Sequence, residues 1–203
     1  MSETKIDPRL EESRKAVASI LAAVGTDEFY IVRRSFGQEF GNTNSDTFLS
    51  YISMEDIPED LPYRRQFQKA CFLVAGAICN NENPRKRTHK SGTRSFESML
   101  HERYVNETKS GKARLNSLLT TPFLKWSGFE ALFANTFRYL QNKQNTSNLD
   151  YVKLLNDLRF WNAGNQKVRK EWTRVMILGE RPAKQEAENT EAETAPKTAA
   201  DEA

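Results

Sequence analysis

Residues 63–79 read Tyr-Arg-Arg-Gln-Phe-Gln-Lys-Ala-Cys-Phe-Leu-Val-Ala-Gly-Ala-Ile-Cys, and their spacing decides the fold class. Tyr63, Phe67, Ala70, Cys71, Val74 and Ile78 recur at three- and four-residue steps, the period of a helix face. Cys71 and Cys79 are the only cysteines. On one helix they would lie about 12 Å apart, too far for a disulfide. That arrangement suits a reducing compartment, the cytoplasm.

The same period extends in both directions. Upstream, the acidic, proline-marked stretch Glu55–Asp60 reads as a linker. Before it, Asp7 caps a helix with Pro8 at its first position, and Leu10, Val17, Ile20, Leu21 and Val24 form its apolar stripe. Thr26 caps a short second helix in which Phe29, Val32 and Phe36 share a face, with Gly37 as its stop. Phe29–Val32 could instead form a strand, but no partner strand is apparent. Asp46–Ile52 reads as a further short helix.

Downstream, Asn80–Gly92 is a basic loop that includes Arg85, Lys86 and Arg87. Helices then follow at Phe96–Tyr104 and, after a turn at Ser110-Gly111, around Leu115, Leu118 and Leu119. Ser127 and Glu130 are spaced as a capping box for a helix carrying Phe129, Leu132, Phe133 and Leu140. Asn148 caps another, with Tyr151, Leu154, Leu155, Leu158 and Trp161 inward. The last helix sets Val168, Trp172 and Val175 against Lys167, Lys170 and Arg174. About nine helices and no convincing strand give an all-α fold. Residues 1–178 form the helical part, and 179–203 read as a disordered acidic tail. No run of apolar residues approaches the length of a membrane span.

Charge is distributed unevenly along the 203 residues. Residues 1–63 carry 6 basic and 12 acidic side chains (net −6), 64–178 carry 21 and 8 (net +13), and 179–203 carry 3 and 7 (net −4). The central excess is a candidate surface for a polyanion, and nucleic acid is the commonest one. Enzyme signatures are absent: there is no phosphate-binding glycine loop and no dinucleotide fingerprint. With His89 and His101 as the only histidines and two cysteines eight apart, no zinc site can be drawn, and no cofactor is expected.

Phosphate contact needs arginine or lysine presented on ordered elements. Four clusters meet that condition: Arg33-Arg34, Arg64-Arg65, Lys112 with Arg114, and Lys167, Arg169 and Lys170. Any one of them reads equally well as a solvated helix face. Together, near helix ends and with the acids largely elsewhere, they point to a nucleic-acid groove. Phe67, Phe129, Phe133 and Trp172 fit core stripes and not base-stacking platforms.

These motifs, in this order, resemble a known family. Leu149-Asp-Tyr-Val-Lys-Leu-Leu-Asn-Asp-Leu-Arg-Phe-Trp161, followed by Val168-Arg-Lys-Glu-Trp172, resembles the last two helices of the CasB-type small subunit of the type I-E CRISPR Cascade complex. Val32-Arg33-Arg34, Cys71–Gly76 and Arg114-Leu-Asn-Ser-Leu-Leu119 are similar to three further family segments, so the likeness spans residues 10–178. The loop at 80–92, the Gly37–Ser45 connection and the acidic tail depart from the family pattern.

The resemblance implies a non-enzymatic protein of two small helical lobes, here roughly 1–110 and 111–178. Its partners would be other Cascade subunits, a second copy of itself, the guide RNA–target DNA heteroduplex and the displaced single-stranded DNA. It would help to hold the R-loop open, with Arg34 and Arg114 at matching basic positions. A helical DNA-binding transcription regulator and a protein-only scaffold are the alternatives.

Overall fold

The computed structural model describes residues 7–24, 29–41, 48, 64–81, 91–120, 128–142, 146, 148–161, 163 and 165–180. Among them are eight helices: α1 (Pro8–Ala23), α2 (Phe29–Ser35), α3 (Arg64–Asn81), α4 (Phe96–Val105), α5 (Lys109–Thr120), α6 (Phe129–Gln141), α7 (Tyr151–Arg159) and α8 (Lys167–Leu178). The described residues contain no strand, only isolated bridge positions such as the pair Arg94 and Leu149. The helix expected at Asp46–Ile52 lies outside them except for Phe48, as do the linker at 55–60, residues 82–90 and residues 181–203.

The helix read first, α3, is the centre of the molecule. Every residue from Lys69 to Cys79 is buried, so this helix is covered on all sides and not along one stripe. α1, α2, α6 and α7 pack around it. α6 runs alongside in the same direction: Lys69 faces Glu130 at 3.5 Å near one end, and Gln141 Nε2 donates to the Asn80 carbonyl at the other (3.0 Å). α7 runs the opposite way, with Tyr151 beside Asn81 (2.6 Å) and Arg159 over the Phe67 ring (4.7 Å). α8 packs on α4. Buried residues of all eight helices join one contiguous cluster. Phe67, Phe129, Phe133 and Trp172 are all within it, as their stripes require.

α2 exits tightly against the centre. A Cβ at Gly76 would overlap the Phe36 ring, and Gly37 turns the chain with φ +91°, the stop expected there. Asp7 caps α1 as expected, its Oδ1 accepting from the Arg9 amide at 3.0 Å.

Several local expectations are corrected. α6 begins at Phe129 with Gly128 as its cap and no side-chain cap bond. Glu130 is drawn inward by the buried Lys69, so it does not serve a capping box, and Ser127 lies outside the described residues. Asp150, not Asn148, caps α7, accepting from the Lys153 amide at 2.9 Å. The Asn148 carbonyl instead accepts from the Arg94 amide at 2.9 Å. Ser110-Gly111 is no turn but the first turn of α5, where the Thr108 hydroxyl accepts from the Gly111 amide at 3.3 Å. Asn80 and Asn81 belong to α3 and not to the basic loop, because their side chains donate to the carbonyls of Gly76 (2.7 Å) and Thr146 (2.6 Å).

Both cysteines are free and buried, and burial pushes each thiol up to about 12. The native protein should therefore resist alkylation by iodoacetamide at mildly alkaline pH, and take up two equivalents once denatured. Mass spectrometry of the native reaction checks this, and rapid native labelling would contradict the packing of α3. Among the described residues no helix is long and apolar enough to cross a membrane.

Candidate nucleic-acid interface

Because α3 and α6 run in the same direction, their last turns lie together, and this end of the molecule gathers four of the nine basic residues of the clusters described above. Arg33 and Arg34 occupy the last turn of α2, both exposed. Arg33 is near enough to Cys79 to act on its thiol electrostatically, which places it beside the end of α3. The Arg34 guanidinium lies over the Tyr30 ring at 5.1 Å, and that tyrosine is 58% exposed.

Two consecutive residues of α6 then look in different directions. Arg138 donates to the Phe36 carbonyl (2.8 Å) and lies over the Phe36 ring, next to the Arg33-Arg34 turn. Tyr139 meets α4 and α5. Its ring carries the guanidiniums of Arg103 at 5.0 Å and Arg114 at 5.3 Å, and its hydroxyl accepts from Arg103 Nη2 at 2.9 Å. Lys112 lies over the neighbouring Tyr104 ring at 5.0 Å. Arg33 and Arg34 thus flank one side of this turn, and Lys112 and Arg114 the other.

Glu107 is the one acid that the structure places in this second group, bonded to the Tyr139 hydroxyl and paired with Arg103. The hydrogen bond from Tyr139, aided by the Thr108 amide, holds its carboxyl below the ordinary glutamate range. It therefore stays charged and balances Arg103, while Lys112 and Arg114 turn their cations to the rings. A cation held over an aromatic face is positioned before any ligand arrives, and a planar guanidinium suits a phosphate.

The other five residues lie elsewhere, with Arg65 exposed in the first turn of α3 beside Arg64. Arg64 opens α3, about 22 Å of helical rise from Cys79 and the Arg33 turn. Lys167 and Lys170 are exposed at the start of α8. Arg169 is half-buried and donates to the Leu119 carbonyl (2.8 Å) near the C-terminal end of α5, a bond that satisfies a helix-end carbonyl. Tyr30, Tyr139, Arg103 and Arg138 were not legible as site residues. Tyr30 and Arg34 stand four apart on one helix, a spacing that could have paired them. The Tyr139 cluster joins three helices and has no local signature. Among the described residues no group of three or more His, Cys, Asp or Glu could hold a metal.

No curated protein matches the chain in sequence. A solved chain titled "CRISPR RNA-guided surveillance complex" is similar in fold, with a TM-score of 0.60 and 15% identity, over 92% of this chain and 99% of that one. The family model for CRISPR-associated protein Cse2 matches residues 31–175, which include α3 to α7, most of α8, and both the Arg34 and the Arg114 turns. By that match the chain belongs to the Cse2 family, the CasB-type small subunits of type I-E Cascade that its motifs resemble.

Proposed function

We propose that this chain is the small, non-catalytic subunit of an RNA-guided surveillance complex, and that it contacts target and displaced DNA strands to stabilise the R-loop. The pairing of cations with tyrosine rings at one end of the molecule carries the reading: exposed Arg34 on Tyr30, exposed Arg114 on Tyr139 and half-buried Lys112 on Tyr104. R-loop formation is a nearly balanced strand exchange, so a few phosphate contacts suffice to tip it. Cations fixed on helices supply such contacts with little ordering cost. Arg64, Lys167 and Lys170, at a distance from this end, would extend the path. Arg169 contributes chiefly to holding α5.

One small protein offers a short path for a long polyanion. The free chain is accordingly expected to bind a duplex of about 50 base pairs only at the non-specific level, in the range of 10⁻⁴ to 10⁻⁶ M at physiological salt. A mobility shift measures this. Nanomolar, sequence-specific binding by the free chain would mark a transcription regulator instead.

The test of the function is reconstitution. Complexes assembled with guide RNA, with and without this chain, are compared for affinity to a matched target duplex. The chain should tighten R-loop binding at least tenfold. Equal affinity with and without it would leave only a protein scaffold.

A further inference from the structure

We propose that Tyr30 is a stacking platform for an unpaired base, and that the face of α2 bearing Tyr30, Arg33 and Arg34 grips the displaced single strand and not duplex. The identity of the strand rests on the function proposed above; the preference for single-stranded DNA does not. Tyr30, Arg33 and Arg34 stand at positions i, i+3 and i+4 of α2 and share its outer face, while Phe29, Val32 and Ser35 are buried. Among the described residues every other aromatic ring is buried or half-buried, and Tyr30 alone is exposed, at 58%. The Arg34 guanidinium lies over one face of that ring at 5.1 Å. More than half of the residue is in water even so, which leaves the opposite face open. A lone exposed tyrosine is ordinary. One that shares a helix face with two arginines matches what single-strand binders combine, a base-sized ring beside cations for the flanking phosphates.

Among the described residues no acid pairs with Arg33 or Arg34, so both cations are available to phosphate. Bases in a duplex stack on one another and present only their edges, so a protruding ring gains nothing from them. An unpaired base offers its whole face. In an R-loop the target strand is paired with the guide and the displaced strand is not, so the ring selects the displaced strand. The strand then sets a base on Tyr30 and its neighbouring phosphates on Arg33 and Arg34. The second group of rings cannot do this. Tyr104 and Tyr139 are half-buried, and Tyr139 already carries two guanidiniums, with its hydroxyl engaged by Arg103 and Glu107. That side is left with phosphate contacts, which single and double strands both offer.

Photocross-linking of the full-length chain at low salt tests the platform directly. The probe is a single strand of about 16 nucleotides substituted with iodouracil, and adducts are mapped by mass spectrometry. Tyr30 should be marked by the single strand and not by a blunt duplex of the same sequence. No Tyr30 adduct, or an equal yield from the duplex, would overturn the proposal. Tyr30→Leu should weaken single-strand binding roughly five- to tenfold and leave duplex binding unchanged. Its slope of log affinity against log salt should also stay the same, because a stacked ring releases no counterions. Tyr30→Phe keeps the ring and should bind as the unsubstituted chain does. An equal loss for duplex and single strand in the leucine variant would make Tyr30 a mere prop for Arg34 and overturn the platform. In assembled complexes the photoprobe should mark Tyr30 from the displaced strand; marking from the target strand instead would overturn the strand assignment. Tyr30 adducts in a chain that leaves R-loop affinity unchanged would sink the proposed function alone. Their absence from a chain that does stabilise the R-loop would sink the platform alone.

Discussion

Replacing Trp172 by alanine is expected to lower the unfolding free energy by about 3–5 kcal/mol, the cost of emptying a large buried site. Trp172 is 1% exposed, with ring centroids 4.8 Å from Trp161 and 5.2 Å from Phe96. It ties α8 to α4 and to the turn after α7. Its Nε1 also donates to Asp157 Oδ2 at 2.8 Å, and the same oxygen accepts from Lys153 Nζ at 2.8 Å. Lys153 in turn pairs with the buried Glu97. Burial raises the Glu97 carboxyl against the pull of Lys153. Burial also opposes the charge on Lys153, but Asp157 and Glu97 together hold it above the ordinary lysine range. The substitution removes ring volume and a hydrogen-bond donor from one connected group. Thermal and urea unfolding should register it, with a Tm lower by roughly 6–20 °C. Trp172→Phe, which loses the donor but keeps most of the ring, should cost less. A loss below about 1 kcal/mol for the alanine variant would mean that this junction is not packed as described.

The second large effect concerns the proposed DNA path. In assembled complexes, Arg34→Ala with Arg114→Ala is expected to weaken R-loop binding by roughly tenfold for each lost contact, the scale of a charge-assisted hydrogen bond. The loss should be the same for every matched target, since phosphates carry no sequence. The slope of log affinity against log salt should flatten by about 0.7–0.9 per contact. Both side chains are exposed, so circular dichroism and assembly should not change. Arg34→Lys with Arg114→Lys keeps the charge and should preserve the salt slope, at some cost in affinity because lysine lacks the planar fork. An unchanged affinity and slope in the alanine variant would leave these arginines as solvated charge. The DNA contacts would then belong to Lys167, Lys170 or the stretch at 85–87.

Helices were the legible part of this chain because their period is local. Val17, Ile20, Phe129, Phe133, Tyr151, Leu154, Leu155 and Leu158 are buried as read, while Leu10, Leu21, Val24 and Leu132 of the same stripes are half-buried. The α3 stripe is buried from Phe67 to Ile78, Tyr63 lying outside the described residues, although the full cover around α3 was not visible, since it depends on four helices closing over one. Caps were legible only where the capping residue has no competing partner. Asp7 is such a case; Glu130 is not, because a buried lysine on another helix claims it. The site was half legible. Residue type and position on helices marked Arg34 and Arg114, but charge alone could not separate them from Arg169, which a backbone carbonyl occupies. Nor could it pair Arg114 with Tyr139, which lies twenty-five residues away and on a different helix.

If the chain works within an RNA-guided complex, its basic surface meets DNA there, in the company of the other subunits and a guide. Affinity purification of the full-length tagged chain from its native host tests it most directly, with the bound proteins and nucleic acid identified and counted. A stoichiometric set of partner subunits together with a short guide RNA is expected, at fixed ratio to this chain. Recovery of the chain alone, or with protein partners and no guide RNA, would contradict it.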